Sequence, residues 1–239
     1  MLFSMESLKK PLRPIFYDTE TTGIKADRER IVELAAYDPV LDRTFEMLIN
    51  PGIPIPKEAT DVHKITDAMV ADKPSFAAVA EEFVTFCGDD TVLIAHNNDA
   101  FDVHFMKAEF SRNNLSWPSW IFFDTLKWAR RYRPDIPKHS LQFLREIYGI
   151  AANNAHRALD DVKVLYEVFC CMVDDLTIEE AMRLLNQPRI VNNMPFCKHQ
   201  GKLLKDLPKD YVQWLDKSGA LDKEDNKHLK QALVDLGVL

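Results

Sequence analysis

Pro14-Ile15-Phe16-Tyr17-Asp18-Thr19-Glu20-Thr21-Thr22-Gly23 reads as an apolar, aromatic strand that ends in two acids set one residue apart. Side chains alternate across a strand, so Asp18 and Glu20 share a face. Two carboxylates on one face repel unless a cation lies between them. A hard divalent metal, which prefers oxygen ligands, supplies that cation. Gly23 then lets the chain turn close to a ligand. Taken alone, the pair is read more readily as two solvated acids at a strand end.

Downstream of this segment, Ile31–Tyr37 is apolar with Glu33 as its one charge, and Thr44–Ile49 follows the turn signal Asp38-Pro39. With the first strand these predict an antiparallel meander. The texture then changes. Phe76–Phe86 and Phe101–Phe110 carry apolar residues at helical spacing, while Val92–Ala95 and Ile121–Phe123 read as short buried strands. Ser140 is placed to cap a helix over 141–148 that ends at Gly149, and Arg157–Val173 reads as a long amphipathic helix. A mixed sheet wrapped by helices is the simplest architecture for this order. A boundary near Asn186-Gln187-Pro188 divides a main domain, 1–186, from a small unit, 187–239.

The 239 residues are 46% hydrophobic and 28% charged, the balance of a folded chain. No stretch approaches the roughly 20 apolar residues that span a bilayer. The first fourteen residues have no long apolar segment with a small-residue cleavage site, which argues against a secretory signal. Cys87, Cys170, Cys171 and Cys197 form no spaced framework; Cys170 and Cys171, adjacent in an apolar helix-like run, read as buried free thiols, and the set fits a reducing cytoplasm. The net charge of −7 argues against a nucleic-acid partner only if the acids hold no metal, because bound divalent cations reverse the local sign.

Two further clusters carry chemistry. His96-Asn97-Asn98-Asp99-Ala100-Phe101-Asp102 follows a buried strand and opens a helix, where either a functional loop or simple capping by Asn and Asp fits. His156-Arg157-Ala158-Leu159-Asp160-Asp161 begins the long helix, with Asp161 little more than a turn inside it.

Together the three clusters resemble the DnaQ-like 3′→5′ exonucleases of the DEDDh branch. The family's motifs are Asp-x-Glu-x-Thr-Gly, Asn-x-x-Phe-Asp and His-x-Ala-x-x-Asp. They are matched here by 18–23, by Asn98 to Asp102, and by His156, Ala158 and Asp161. Asn50-Pro51-Gly52, Ile55-Pro56, His63-x-Ile65-Thr66-Asp67, Phe123-Asp124-Thr125-Leu126 and His139-Ser140-Leu141 extend the likeness, which spans about 14–173. Two departures stand out: one extra residue separates His96 from the Asn register, and Lys64 stands where the connector often has Gly.

The resemblance implies an RNase H-like mixed five-stranded sheet flanked by helices. It implies Asp18, Glu20, Asp102 and Asp161 as ligands for two Mg²⁺ or Mn²⁺ ions, about 3.5–4 Å apart, that stabilise attacking and leaving oxygens. His156 would be the general base. Thr21, Thr22, Gly23 and Ile24 would line the terminal-nucleotide pocket, with Ile24 packed on the last base and His96, Asn98 and Phe101 as further substrate contacts. The expected partner is a nucleic acid with a 3′ end, DNA favoured over RNA, in repair or recombination. An exoribonuclease with the same residues is the alternative, and a non-catalytic nucleic-acid binder is the alternative of another class. Oligomeric state stays open.

The small unit, with Met194-Pro195-Phe196-x-Lys198-x-x-Gly201-Lys202, Leu207-Pro208-x-Asp210-Tyr211 and Trp214-Leu215, resembles a module that follows the nuclease domain in some exonuclease X-like proteins. It is expected to be α+β. Lys198, Lys202 and Lys205 with Trp214 are candidate nucleic-acid contacts. The competing reading makes Tyr211 and Trp214 a miniature core with solvated lysines.

Overall fold

A computed structural model describes residues 11–151, 157–187, 191–223 and 226–239. His156, implied as the general base, falls outside them. The chain divides into two compact units that meet in sequence between Leu185 and Asn186.

The first unit is built on a five-stranded sheet, ordered β3-β2-β1-β4-β5. The strands are β1 (Arg13–Thr21), β2 (Ile31–Asp38), β3 (Arg43–Leu48), β4 (Thr91–Ala95) and β5 (Ile121–Asp124). The first three pair antiparallel as a meander, whereas β4 and β5 join β1 in parallel. Parallel neighbours need helical crossovers. Here these are α3 (Phe76–Cys87), after the short α1 (Lys57–His63) and α2 (Asp67–Val70), and then α4 (Asp102–Arg112). After β5 come α5 (Thr125–Tyr132), α6 (Leu141–Ile147), α7 (Ala158–Val173) and α8 (Ile178–Asn186). The mixed sheet flanked by helices is thus in place.

Alternation along β1 divides the core in two. Phe16 packs edge-on to Tyr166 and Phe169 of α7, while Tyr17 turns to the other side, 6.5 Å from Phe83 of α3. Strands β2 and β4 are almost wholly buried, as strands covered on both faces must be, whereas Asp18 and Glu20 of β1 are only partly buried.

Several expectations shift. β1 runs on to Thr21, so Asp18 and Glu20 lie within the strand rather than at its end. Its pairing with β2 is interrupted by a bulge between Glu20 and Thr21. Ser140 does occupy the cap position of α6, but its side chain accepts no hydrogen bond there. Cys170 and Cys171 are exposed, contrary to the reading as buried thiols. The buried stripe of α7 runs through Val162, Leu165, Val168 and Phe169, and the next two positions rotate outward. Lys64 caps α1 at φ 64° and Asn97 sits at φ 69°. The second is a conformation that Asn tolerates better than most side chains, so the extra residue after His96 is absorbed as a left-handed step.

Among its described residues the second unit contains α9 (Lys209–Lys217), α10 (Lys227–Asp235) and three short 3₁₀ turns. Its β content, among the described residues, is one isolated bridge between Asn193 and Leu203. Met194, Leu204, Tyr211, Val212, Leu215, Leu229 and Leu233 form its own small core. No helix among the described residues is long and apolar enough to cross a membrane.

Candidate active site

Because β1 is extended through both acids, Asp18 and Glu20 lie on the same face, the one that α7 covers. Asp161, in the first turn of α7, meets them there. Carboxylate oxygens of Asp18, Glu20 and Asp161 all lie within 4.8 Å of one another. Asp102 is the first residue of α4 and is buried; its Oδ1 accepts a 2.8 Å hydrogen bond from the Thr19 hydroxyl. It stands outside the tight trio but within electrostatic reach of it.

Crowding is visible in the acidities. Burial, and then the charges of Asp102 and Glu20, hold the Asp18 carboxyl well above the ordinary range. Glu20 is pushed up to about 8, by burial first and then by Glu33, Asp161 and Asp102, with Arg157 opposing. Burial lifts Asp102 to about 7 against the stabilising bond from Thr19. Such a set costs free energy while it is only negative, and it is relieved by protons or by a cation. All donors are hard carboxylate oxygens, which fits a divalent cation of the Mg²⁺ or Mn²⁺ kind.

Residues that the sequence reading passed over hold these acids in place. Glu33 lies directly across from Glu20 in the β1–β2 ladder and is fully buried. Opposed side chains in an antiparallel pair share a face, so two like charges adjoin. Glu33 is compensated from elsewhere: it accepts from the Ala158 backbone N–H at 3.2 Å and from the Arg157 guanidinium at 3.4 Å. An acid at a helix N-terminus is favourable, and the contact fixes the turn of α7 that carries Asp161. A lone charge in an otherwise apolar strand was the available signal. Gln142 of α6 donates to Asp161 Oδ1 at 2.8 Å, its own carbonyl held by Arg145 at 2.9 Å. Asp124 caps α5 through the N–H groups of Leu126 and Lys127 and also accepts from the Asn97 and Asp99 backbones. One buried carboxylate therefore ties the loop before Asp102 to the end of β5.

The expected substrate contacts separate into two groups. Ile24 is 82% exposed and follows a segment in which Thr21 Oγ1 donates to the Gly23 carbonyl at 2.6 Å. Thr22 is buried and donates to Glu29. Gly23 serves that neighbour: a Cβ there would lie 3.0 Å from the Glu29 carboxyl carbon, so glycine admits the Glu29 side chain against the turn. By contrast, Asn98 is fully buried, accepting from the Tyr17 hydroxyl and donating to Asp99. Phe101 packs on Phe105 with centroids 4.9 Å apart. Both ring nitrogens of His96 are engaged, by the Thr125 hydroxyl at 2.9 Å and the His139 carbonyl at 2.7 Å. His96 nonetheless borders a cavity of about 620 Å³ with Asn97, Arg130, Lys138 and His139.

Residues 15–169 match the exonuclease family of RNase T type. The chain belongs to the DnaQ-like 3′→5′ exonucleases. This exonuclease is 38% identical over 164 residues to the DNA polymerase III epsilon subunit of Treponema pallidum (strain Nichols), covering 66% of this chain and 74% of that one. It is 36% identical over 152 residues to the PolC-type DNA polymerase III of Streptococcus pneumoniae (strain ATCC BAA-255 / R6), of which it spans a tenth. Among solved structures, exonuclease X in complex with 5′ overhanging duplex DNA superposes with a TM-score of 0.58 at 27% identity, covering 72% of this chain and 99% of that one. Exonuclease I shares the fold, with a TM-score of 0.62 over 74% of this chain and 44% of that one. Residues 185–226 match a second family, described as "Putative quorum-sensing-regulated virulence factor".

Proposed function

We propose that this exonuclease removes nucleoside 5′-monophosphates from DNA 3′ ends by metal-dependent hydrolysis, with Asp18, Glu20, Asp102 and Asp161 as metal ligands and His156 as general base. The observation that carries the reading is the convergence of Asp18, Glu20 and Asp161, from two elements far apart in sequence, within 4.8 Å. When bound, two divalent cations of the Mg²⁺ or Mn²⁺ type would supply Lewis-acid stabilisation of the attacking and departing oxygens.

The chain's own residues do the rest. The four carboxylates would hold the cations at the face of β1, where the cations' charge would let the scissile phosphate approach. His156 takes a proton from the attacking water, a task suited to a side chain that titrates near neutrality. Ile24, almost wholly exposed beside the site, packs on the terminal base, which favours an end that is unpaired. DNA as substrate is supported by the likeness to exonuclease X, whose complex holds duplex DNA with a 5′ overhang, and to a DNA polymerase III subunit. The first likeness favours repair or recombination and the second favours proofreading.

Degradation of 3′-labelled and 5′-labelled single-stranded DNA, duplex DNA and RNA with Mg²⁺ tests the polarity, the product and the choice of nucleic acid in one gel. Immediate release of the 3′ label as mononucleotide, with a 5′-labelled ladder and faster loss of DNA, is expected. Faster loss of RNA would replace the DNA reading with the exoribonuclease one. No release in Mg²⁺ or Mn²⁺ would leave a non-catalytic binder.

A further inference from the structure

The second unit carries a surface that the nuclease chemistry does not use. Tyr211 and Trp214 lie one turn apart on α9, their rings stacked at 5.8 Å with planes 23° apart. Their burial differs sharply. Tyr211 is 5% exposed and belongs to the small core, whereas Trp214 is 56% exposed. The reading in which both rings serve only as core therefore fails for Trp214. They line a cavity of about 520 Å³ together with Cys197, Lys198 and Asp210. The Lys198 ammonium stands 5.3 Å over the Tyr211 ring, on a turn in which Cys197 is held at φ 60°. The Tyr211 hydroxyl is buried with no oxygen or nitrogen partner among the described residues and faces the Cys197 thiol.

Charge is distributed unevenly along the chain. Residues 186–239 hold nine Lys and Arg against seven Asp and Glu, whereas residues 1–185 hold twenty-one against thirty. Between Cys197 and Lys209 there are four lysines and one acid, Asp206, and all four lysines are exposed. An exposed indole and an exposed ammonium on one cavity suit a ligand that is planar on one side and anionic on the other. Single-stranded nucleic acid repeats that pair at every nucleotide, and every base offers a π-face. Asp210, the one acid lining the cavity, is able to accept hydrogen bonds from the exocyclic amino groups of bases.

We propose that Trp214, Tyr211, Lys198 and Asp210 form a second nucleic-acid contact, in which a base of a single strand stacks on Trp214 while Lys198 meets an adjoining phosphate. Lys202 and Lys205 extend the basic surface. The choice of nucleic acid rests on the exonuclease reading of the first unit.

The test uses the full chain in EDTA, so that nothing is cut, with fluorescein-labelled unstructured single strands of DNA and of RNA followed by anisotropy. Trp214→Ala should weaken binding about 5- to 100-fold, the worth of one stacked base, and Trp214→Phe should retain most of the affinity. Lys198→Ala should lower the slope of log affinity against log salt by about 0.7, one phosphate's share on a single strand. Both positions are exposed, and Lys198→Ala decides should Trp214→Ala unfold its unit. With Mg²⁺, hydrolysis of the p-nitrophenyl ester of thymidine 5′-monophosphate, too small to bridge two sites, should be unchanged in both variants. Wild-type affinity and salt slope in both variants would overturn the proposal and leave this face to a protein partner. An ester untouched by the unaltered chain would instead sink the exonuclease reading, while anisotropy still reports on the second contact.

Discussion

Removing divalent cations and then raising the pH should loosen this fold. A carboxyl whose folded pKa is raised holds its proton where the unfolded chain has already released it. Between the two values the folded state binds more protons, so stability falls as pH rises, opposite to the usual behaviour of a paired acid. For Glu20 the window runs from 4.5 to about 8, and for Asp102 from 3.8 to about 7. At 1.36 kcal/mol per pKa unit these correspond to about 5 and about 4 kcal/mol. The two are not summed, because burial is the first cause of both shifts and opening one region of the site relieves both, and water screens the partly open Glu20. A net loss of roughly 3–5 kcal/mol from about pH 5 to about pH 8.5 follows, or roughly 10 °C in melting temperature for a chain of this size. Thermal denaturation in EDTA across that range measures it, with Glu20→Gln as the comparison that isolates this site from other titrating groups. Glu20→Gln should flatten the pH dependence by about half. At the upper pH, Mg²⁺ at a hundredfold excess over its Kd should restore about 2.7 kcal/mol in the wild type. A melting temperature in EDTA that is level or rises with pH, identical in Glu20→Gln, would refute the claim that burial and crowding hold these acids protonated in the fold.

Asp18→Ala should abolish turnover while leaving far-UV circular dichroism unchanged and raising the melting temperature in EDTA; wild-type rates in Mg²⁺ would exclude it as a ligand. His156→Ala should lower kcat by about 10²–10⁴, the span for a lost general base, and an unaltered pH–rate profile would remove it from the mechanism. Gly23→Ala places a methyl against Glu29 and should raise KM for short single strands more than it lowers stability; unchanged kinetics would show that the turn yields freely. Glu33→Leu strands the buried Ala158 N–H, while the half-exposed Arg157 keeps Glu46, at about 1–3 kcal/mol by denaturant midpoint, with a fall in kcat because Asp161 shares that helix turn. A variant as stable and active as wild type would reduce Glu33 to a bystander.

The sequence carried the strand that bears Asp18 and Glu20, the meander, and the order of strands and helices, because alternation and helical periodicity are local properties of the chain. It also carried the short list of acids, since a pair one residue apart on an apolar strand has few uses. Ligand identity beyond that list came from motif spacing. The sequence alone did not reveal that β1 continues through both acids to a bulge, because acidic residues are poor strand formers and only pairing with β2 holds them extended. Nor did it reveal α5 and α8, which are short and weakly signalled. The outward turn of Cys170 and Cys171 is likewise set by which stripe of α7 meets the sheet.

What the sequence determined by itself is the chemistry on offer: four acids, a histidine and an apolar scaffold able to carry them. Tertiary structure alone decided which carboxylates meet, since Asp18 and Asp161 lie far apart in the chain and touch only because α7 packs on the face of β1 that Phe16 shares. It also decided that Glu33, rather than solvent, anchors that helix, and that Trp214 faces outward while Tyr211 turns in. Repulsion between charges depends on distance and burial, and neither quantity exists until the chain is folded.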